Sequence, residues 1–165
     1  MKTLIVYYSL EGNTAYIADK LAARLGADTL RLVPKKAYKT KGLSKFFWGG
    51  RSALMAEQPE LEPYEADPAA YEQIIFGFPV WASRLTPPLR TFISENQRAL
   101  KAVTHISAFA CQSGMGGEKA LQNLADCLGI PALENKAIFI DPLKREKEAN
   151  EAKFEDFCKM LEFER

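Results

Sequence analysis

Five short apolar runs punctuate the chain, at 3–8, 29–33, 74–78, 103–110 and 136–140. Runs of four to eight residues rich in Ile, Val, Phe and Tyr suit strands buried on both faces. Between them the period changes. Ile17, Leu21 and Leu25 recur every fourth position, and Gly26 is a plausible helix stop. Leu89, Phe92 and Ile93 share one helical face, as do Leu121, Leu124, Ala125 and Leu128 ahead of Gly129-Ile130-Pro131. The last helix offers Phe154, Phe157, Cys158 and Leu161. Strands alternating with helices predict a five-stranded parallel sheet covered on both sides. Right-handed crossovers then make it a three-layer, doubly wound α/β sandwich.

The stretch 34–72 breaks this rhythm and is too long for a structureless loop. Leu43, Phe46, Phe47, Gly50 and Leu54 lie on one side of a helical wheel, which predicts a helix near 42–56. Trp48 falls off that face and is expected either to pack on the Pro34–Tyr38 loop or to meet a ligand or partner. Charge is uneven here too. Seven basic and no acidic residues run from Arg31 to Arg51, and six acidic and no basic ones from Glu57 to Glu72. The two segments are expected to neutralise each other, or the basic one to dock an acidic partner.

At 165 residues the chain reads as a single domain, 1–165. Its net charge of +1 offers no global field for nucleic acid or membrane. The first apolar run is too short for a leader or a membrane span. Three cysteines, at 111, 127 and 158, have neither metal nor disulfide spacing, and the odd number points to reduced thiols in the cytoplasm. His105, the single histidine, falls inside the fourth run and reads as structural.

Chemistry is expected where strands end, because parallel sheets gather ligands at their carboxyl edge. The first run opens into Ser9-Leu-Glu-Gly-Asn-Thr14 and then a helical pattern. Hydroxyls, an amide, free backbone N–H groups and a helix start can hold a phosphate there using neutral donors. The competing reading is a plain helix start capped by Ser9 or Asn13. Neither G-x-x-x-x-G-K-[ST] nor G-x-G-x-x-G is present, nor the acidic cluster of a phospho-acceptor receiver. The third run ends in Pro79-Val80-Trp81-Ala82-Ser83, with Pro79 taking the chain out of the sheet and Trp81 either stacking on a flat heterocycle or packing at the core edge. The fourth leads to Cys111-Gln112-Ser113-Gly114-Met115-Gly116-Gly117, a loop able to approach a ligand closely or simply to turn into the next helix. Arg84 reads as solvated surface and Cys111 as a small buried hydrophobe. No catalytic triad, metal cluster or carboxylate pair can be assembled.

Ile5-Val-Tyr-Tyr-Ser9 followed by Gly12, Thr14 and Ala18 resembles the flavodoxin signature at each fixed position, and Pro79-Val80-Trp81 with the later Pro87-Pro88 is similar to the second loop of a flavodoxin subgroup. The resemblance implies strand order 2-1-3-4-5 and bound FMN. It places the 5′-phosphate on Ser9, Glu11 (through its backbone, the carboxylate turned away), Gly12, Asn13 and Thr14, with Leu10 in the same cofactor-binding loop. It places one flavin face and the N5 edge at Pro79, Val80, Trp81 and Ala82, and the pyrimidine edge at Cys111, Gln112, Ser113, Gly114 and Gly117. The third loop departs from the electron carriers, lacking their Tyr and nearby acids. The implied function is an electron-transfer flavoprotein cycling through semiquinone and hydroquinone between redox partner proteins. The alternative is a small NAD(P)H-dependent FMN or quinone oxidoreductase on the same fold, although G-S-x-R-x-x-S and a Thr-Arg-Phe-Gly second loop are absent.

Overall fold

Side chains along a strand alternate between faces, and in the central strands both faces are apolar. Leu4, Val6 and Tyr8 point to one side with Ile74, Phe76 and Phe78, while Ile5 and Tyr7 point to the other with Ile75. Such segments need a layer of helix on each side. The computed structural model, which describes residues 1–38, 51, 55–145 and 147–163, has that architecture. Strands β1 (Thr3–Tyr7), β2 (Asp28–Arg31), β3 (Gln73–Pro79), β4 (His105–Gln112) and β5 (Lys136–Ile140) form one sheet in the order β2-β1-β3-β4-β5. All four pairings are parallel. The order reverses at β1, which opens a crevice at the carboxyl edge between β1 and β3.

The helices are α1 (Asn13–Leu25), α2 (Pro87–Glu95), the short α3 (Gln97–Leu100), α4 (Gly117–Leu128) and α5 (Lys147–Phe163). Ile17 and Leu21 of α1 join Phe154, Phe157 and Leu161 of α5 against Ile5, Ile75, Phe109 and Phe139. Leu89 and Phe92 of α2 join Leu121 and Leu124 of α4 on the opposite face, against Val6, Phe76 and Ala108. Six phenylalanines are fully buried in these layers, each contributing roughly 1.5–3 kcal/mol relative to exposure. Among the described residues no helix is long and apolar enough to cross a membrane.

Two strands differ from expectation. The run 29–33 yields an edge strand, 28–31, whose residues are exposed except for half-buried Leu30. An edge position covers less of each residue, and the run's firmest anchor, Leu32, lies just beyond the strand. The fourth strand is 105–112 rather than 103–110, because β3 and β5 flank it as far as Cys111 and Gln112. Those two residues therefore sit on a paired strand end, not in a loop. Pro79 still occupies the last position of β3, opposite Cys111. The next rung is the Val80 N–H donating to the Cys111 carbonyl at 2.8 Å, so the proline's missing donor lies on the side where β1 has already ended.

The long excursion is rooted at both ends. Pro34 and Leu61 form an antiparallel bridge, and Lys35 pairs with Glu60 at 3.0 Å, so the basic and acidic arms meet in one ion pair at their base; Lys39, Lys41 and Lys45 lie outside the described residues. The returning arm is fastened to α2: the Thr91 hydroxyl donates to the Pro59 carbonyl at 2.8 Å, and Tyr64 packs on Phe92. Arg51 is helical and accepts from the Met55 N–H. The rest of the expected helix 42–56, and Trp48, lie outside the described residues.

Candidate functional site at the carboxyl edge of the sheet

The turn from β1 into α1 depends on Gly12, whose φ of 96° is one that other residues rarely adopt. Gly12 has no side chain with which to cap the helix. The Ser9 hydroxyl accepts the Ala15 N–H at 3.2 Å, and the Asn13 side chain turns aside to accept the Leu143 N–H at 3.1 Å. The first-turn N–H groups of Asn13 and Thr14 have no acceptor within the helix. Thr14 is 1% exposed, and its hydroxyl has no hydrogen-bond partner. A buried hydroxyl left so costs about 1–3 kcal/mol. Burial pushes the adjoining Cys111 thiol up to about 12, against a smaller opposing pull from Thr14. The thiol is thus protonated at neutral pH, and a sulfur contact this weak does not satisfy the hydroxyl. This is a cradle for an anion: uncapped N–H groups, a positive helix end and an idle donor.

One cation does approach the loop. Arg31, at the end of β2, donates to the Ser9 carbonyl at 3.4 Å. Arg31 comes from the next strand and braces the loop's backbone, while the residues that line the cleft on this side, Ser9, Leu10, Glu11, Asn13 and Thr14, include no cation.

The second loop leaves β3 in a tight turn. Arg84 N–H donates to the Trp81 carbonyl at 2.9 Å, and the two central residues, Ala82 and Ser83, have φ of 49° and 57°. Trp81 is held edge-on by Tyr8 (ring centroids 5.6 Å apart) and by Tyr38 of the excursion (5.0 Å). Arg84 is half-buried rather than fully solvated. The third loop is locked to the second: a Cβ on Gly116 would stand 2.3 Å from the Ser83 hydroxyl. Gln112, from the end of β4, accepts the Gly117 N–H at 2.8 Å and so caps α4.

One cleft gathers most of the residues read from sequence. Ser9, Leu10, Glu11, Asn13 and Thr14, then Pro79, Val80, Trp81 and Ala82, then Cys111, Gln112 and Ser113 all line it. Three do not. Gly12 acts through its backbone conformation. Gly114 is exposed with no neighbour within 4 Å of a hypothetical Cβ. Gly117 is buried against Gln112 and Ile138, where a Cβ would be 2.8 Å from each, so its bareness serves helix packing. The cleft measures about 120 Å³. His105 is remote from it and pairs with Glu134 at 2.9 Å.

Sequence reading missed Asp141, which completes the lining. It directly follows the fifth apolar run, the same carboxyl-end position that drew attention to the other loops. Its carboxylate accepts the Ser113 hydroxyl at 2.6 Å and Arg145 Nε at 2.9 Å. Burial pushes this carboxyl up, but Ser113 and Arg145 together outweigh it and hold the group below its ordinary value.

Fold and cleft together define a doubly wound α/β protein whose switch-point crevice suits an anion at the start of α1 and a flat group beside Trp81. A family model described as Flavodoxin matches residues 2–149, and the chain belongs to the flavodoxin family. Solved structures agree on the fold. A flavoprotein from Lactobacillus acidophilus NCFM, crystallised in complex with FMN, superposes with a TM-score of 0.73 at 16% identity, covering 94% of this chain and 97% of that one. Two-electron reduced Megasphaera elsdenii flavodoxin gives 0.59 at 16% over 95% and 98%, and oxidised Flavodoxin 2 from Bacillus cereus 0.58 at 17% over the whole of both chains. No curated protein sequence matches the chain.

Proposed function

We propose that the cleft binds FMN and that the protein carries electrons between redox partner proteins. The observation that carries this reading is the buried, unpartnered Thr14 hydroxyl in the first turn of α1, where Ser9 caps only the Ala15 N–H, in a member of the flavodoxin family. Ser9, Asn13 and Thr14 would hold the phosphate, with the Arg31 guanidinium behind the loop. Trp81 and Val80 would bound the ring, and Gln112 and Ser113 its polar edge. When bound, FMN supplies the electron chemistry. The chain's own part is to orient it, to shield it with Leu10, Val80 and Trp81, and to leave one edge open to a partner. The three cysteines are free, which supports a reducing, cytoplasmic setting.

The nicotinamide-dependent alternative draws on the near-neutral net charge of +1 and on a third loop, Ser113-Gly114-Met115, that brings no aromatic ring to the cleft. One experiment separates the two. The protein is saturated with FMN, and NADPH is then added with and without a quinone. The carrier reading expects one FMN per chain and negligible NADPH oxidation. Rapid turnover with the quinone would establish the alternative, and a protein that takes up no FMN would remove both.

A further inference from the structure

The third loop is pinned at both ends and bare in the middle. Gly116 is seated on Ser83 of the second loop. A Cβ on Gly114 would meet nothing within 4 Å, and Met115 is 88% exposed. At the other end stands the turn between β5 and α5. There the Asp141 carboxylate accepts the Ser113 hydroxyl at 2.6 Å, and the Arg145 guanidinium binds both Asp141 and the Ser113 carbonyl. Asp141 is not glycine, yet it adopts a φ of 38° to reach this position, and its side chain is only 13% exposed. The turn is itself braced. Asn150, 5% exposed, exchanges two hydrogen bonds with the backbone of Ile140 and donates a third to the Arg145 carbonyl. Leu143 N–H reaches across to Asn13 at the start of α1.

We propose that the β5–α5 turn is a fourth element of the cleft, in which Asp141 and Arg145 act as positioning residues that hold Ser113, and with it the third loop, in place for the ring portion of the ligand. This rests on the reading of the cleft as a flavin site. Asp141 and Arg145 bind Ser113 on the ring side, whereas the turn's tie to the phosphate loop runs from the Leu143 backbone to Asn13, which substitutions at Asp141 and Ser113 leave in place. The two should therefore separate when ligands with and without a phosphate are compared.

The test measures dissociation constants for FMN and for riboflavin, by flavin fluorescence, in the wild type and in Asp141→Asn, Ser113→Ala and Thr14→Val. Asp141→Asn keeps a residue that tolerates the left-handed conformation, and Ser113→Ala deletes a single hydroxyl. Apo-protein unfolding midpoints show whether each variant is folded. Losing one charge-assisted hydrogen bond should weaken both flavins by the same factor, about tenfold. The ratio of their affinities then stays at the wild-type value, while Thr14→Val weakens FMN alone. The bound flavin's visible spectrum should shift in the latch variants only, which a loss of stability without a positioning role would not produce. Affinities unchanged in both latch variants, or a loss confined to FMN, would overturn the latch while leaving the site standing. A wild type that binds neither flavin would overturn the site and the latch together.

Discussion

Ala82 and Ser83 carry left-handed backbone without being glycine, at a cost on the order of 1–3 kcal/mol each. A turn like this persists where its neighbours determine it, and here the neighbour is Gly116. A methyl group on Gly116 would meet the Ser83 hydroxyl, Cβ and Cα at 2.3, 2.9 and 3.1 Å, at a φ of 102°. Gly116→Ala should therefore lower stability by about 2 kcal/mol or more, and Gly114→Ala by no more than about 0.5. Urea unfolding of the two variants checks this, and equal effects would contradict the lock between the loops. Asp141 gives a pH signature. Its folded carboxyl lies below the ordinary value of 3.8, so its contribution is present above that value and is lost as pH falls through the folded one. The stability gap between wild type and Asp141→Asn should be open at neutral pH and narrow steadily below pH 3.8. Unfolding midpoints taken down to about pH 2.5 follow it across the carboxylate range, and a constant gap would show that the carboxylate's charge contributes nothing.

At the scale of elements, the β5–α5 connection depends on one buried amide. Asn150→Ala would orphan the Ile140 N–H and take partners from the Ile140 and Arg145 carbonyls. These bonds are partly buried, so an orphaned group here costs toward the low end of about 1–3 kcal/mol, and a loss of about 1–2 kcal/mol is expected on chemical denaturation. Less than about 0.5 would mean that water replaces the side chain. The element pattern was largely legible in the sequence, because residues 3–8, 74–78 and 136–140 are mostly apolar on both faces and the helices repeat apolar residues every three or four positions. Limits set by tertiary pairing were not. Nothing local distinguishes Cys111-Gln112 as strand from the glycine-rich loop that follows; the pairing with Pro79 and Ile140 does that. The first two loops were legible because backbone needs mark them: Gly12 for a left-handed turn, Pro79 for a strand end. Arg31 and Asp141 escaped because each reaches its place through the sheet order, which puts residues from β2 and β5 beside loops that are distant in sequence.

For the whole molecule, the open question is what the cleft does to its ligand. Trp81 stands on one wall, while the third loop offers Ser113, Gly114 and Met115 and no aromatic ring. Of the two carboxylates that line the cleft, Glu11 and Asp141, Asp141 is matched by Arg145. Stacking and nearby anions both disfavour an electron-rich reduced flavin, and both are reduced here. The potential for full reduction should accordingly be less negative than that of an acidic flavodoxin with rings on both flavin faces. Spectroelectrochemical titration reads it, and an equally negative value would mean that neither stacking nor charge sets it. All of this rests on a phosphate held at the start of α1. The measurement that tests it most directly is the phosphorus NMR spectrum of the protein mixed with an equal amount of FMN. Bound FMN should give a resonance displaced from that of free FMN and unmoved by pH around the second phosphate pKa of about 6. A resonance that titrates there as free FMN does would contradict it.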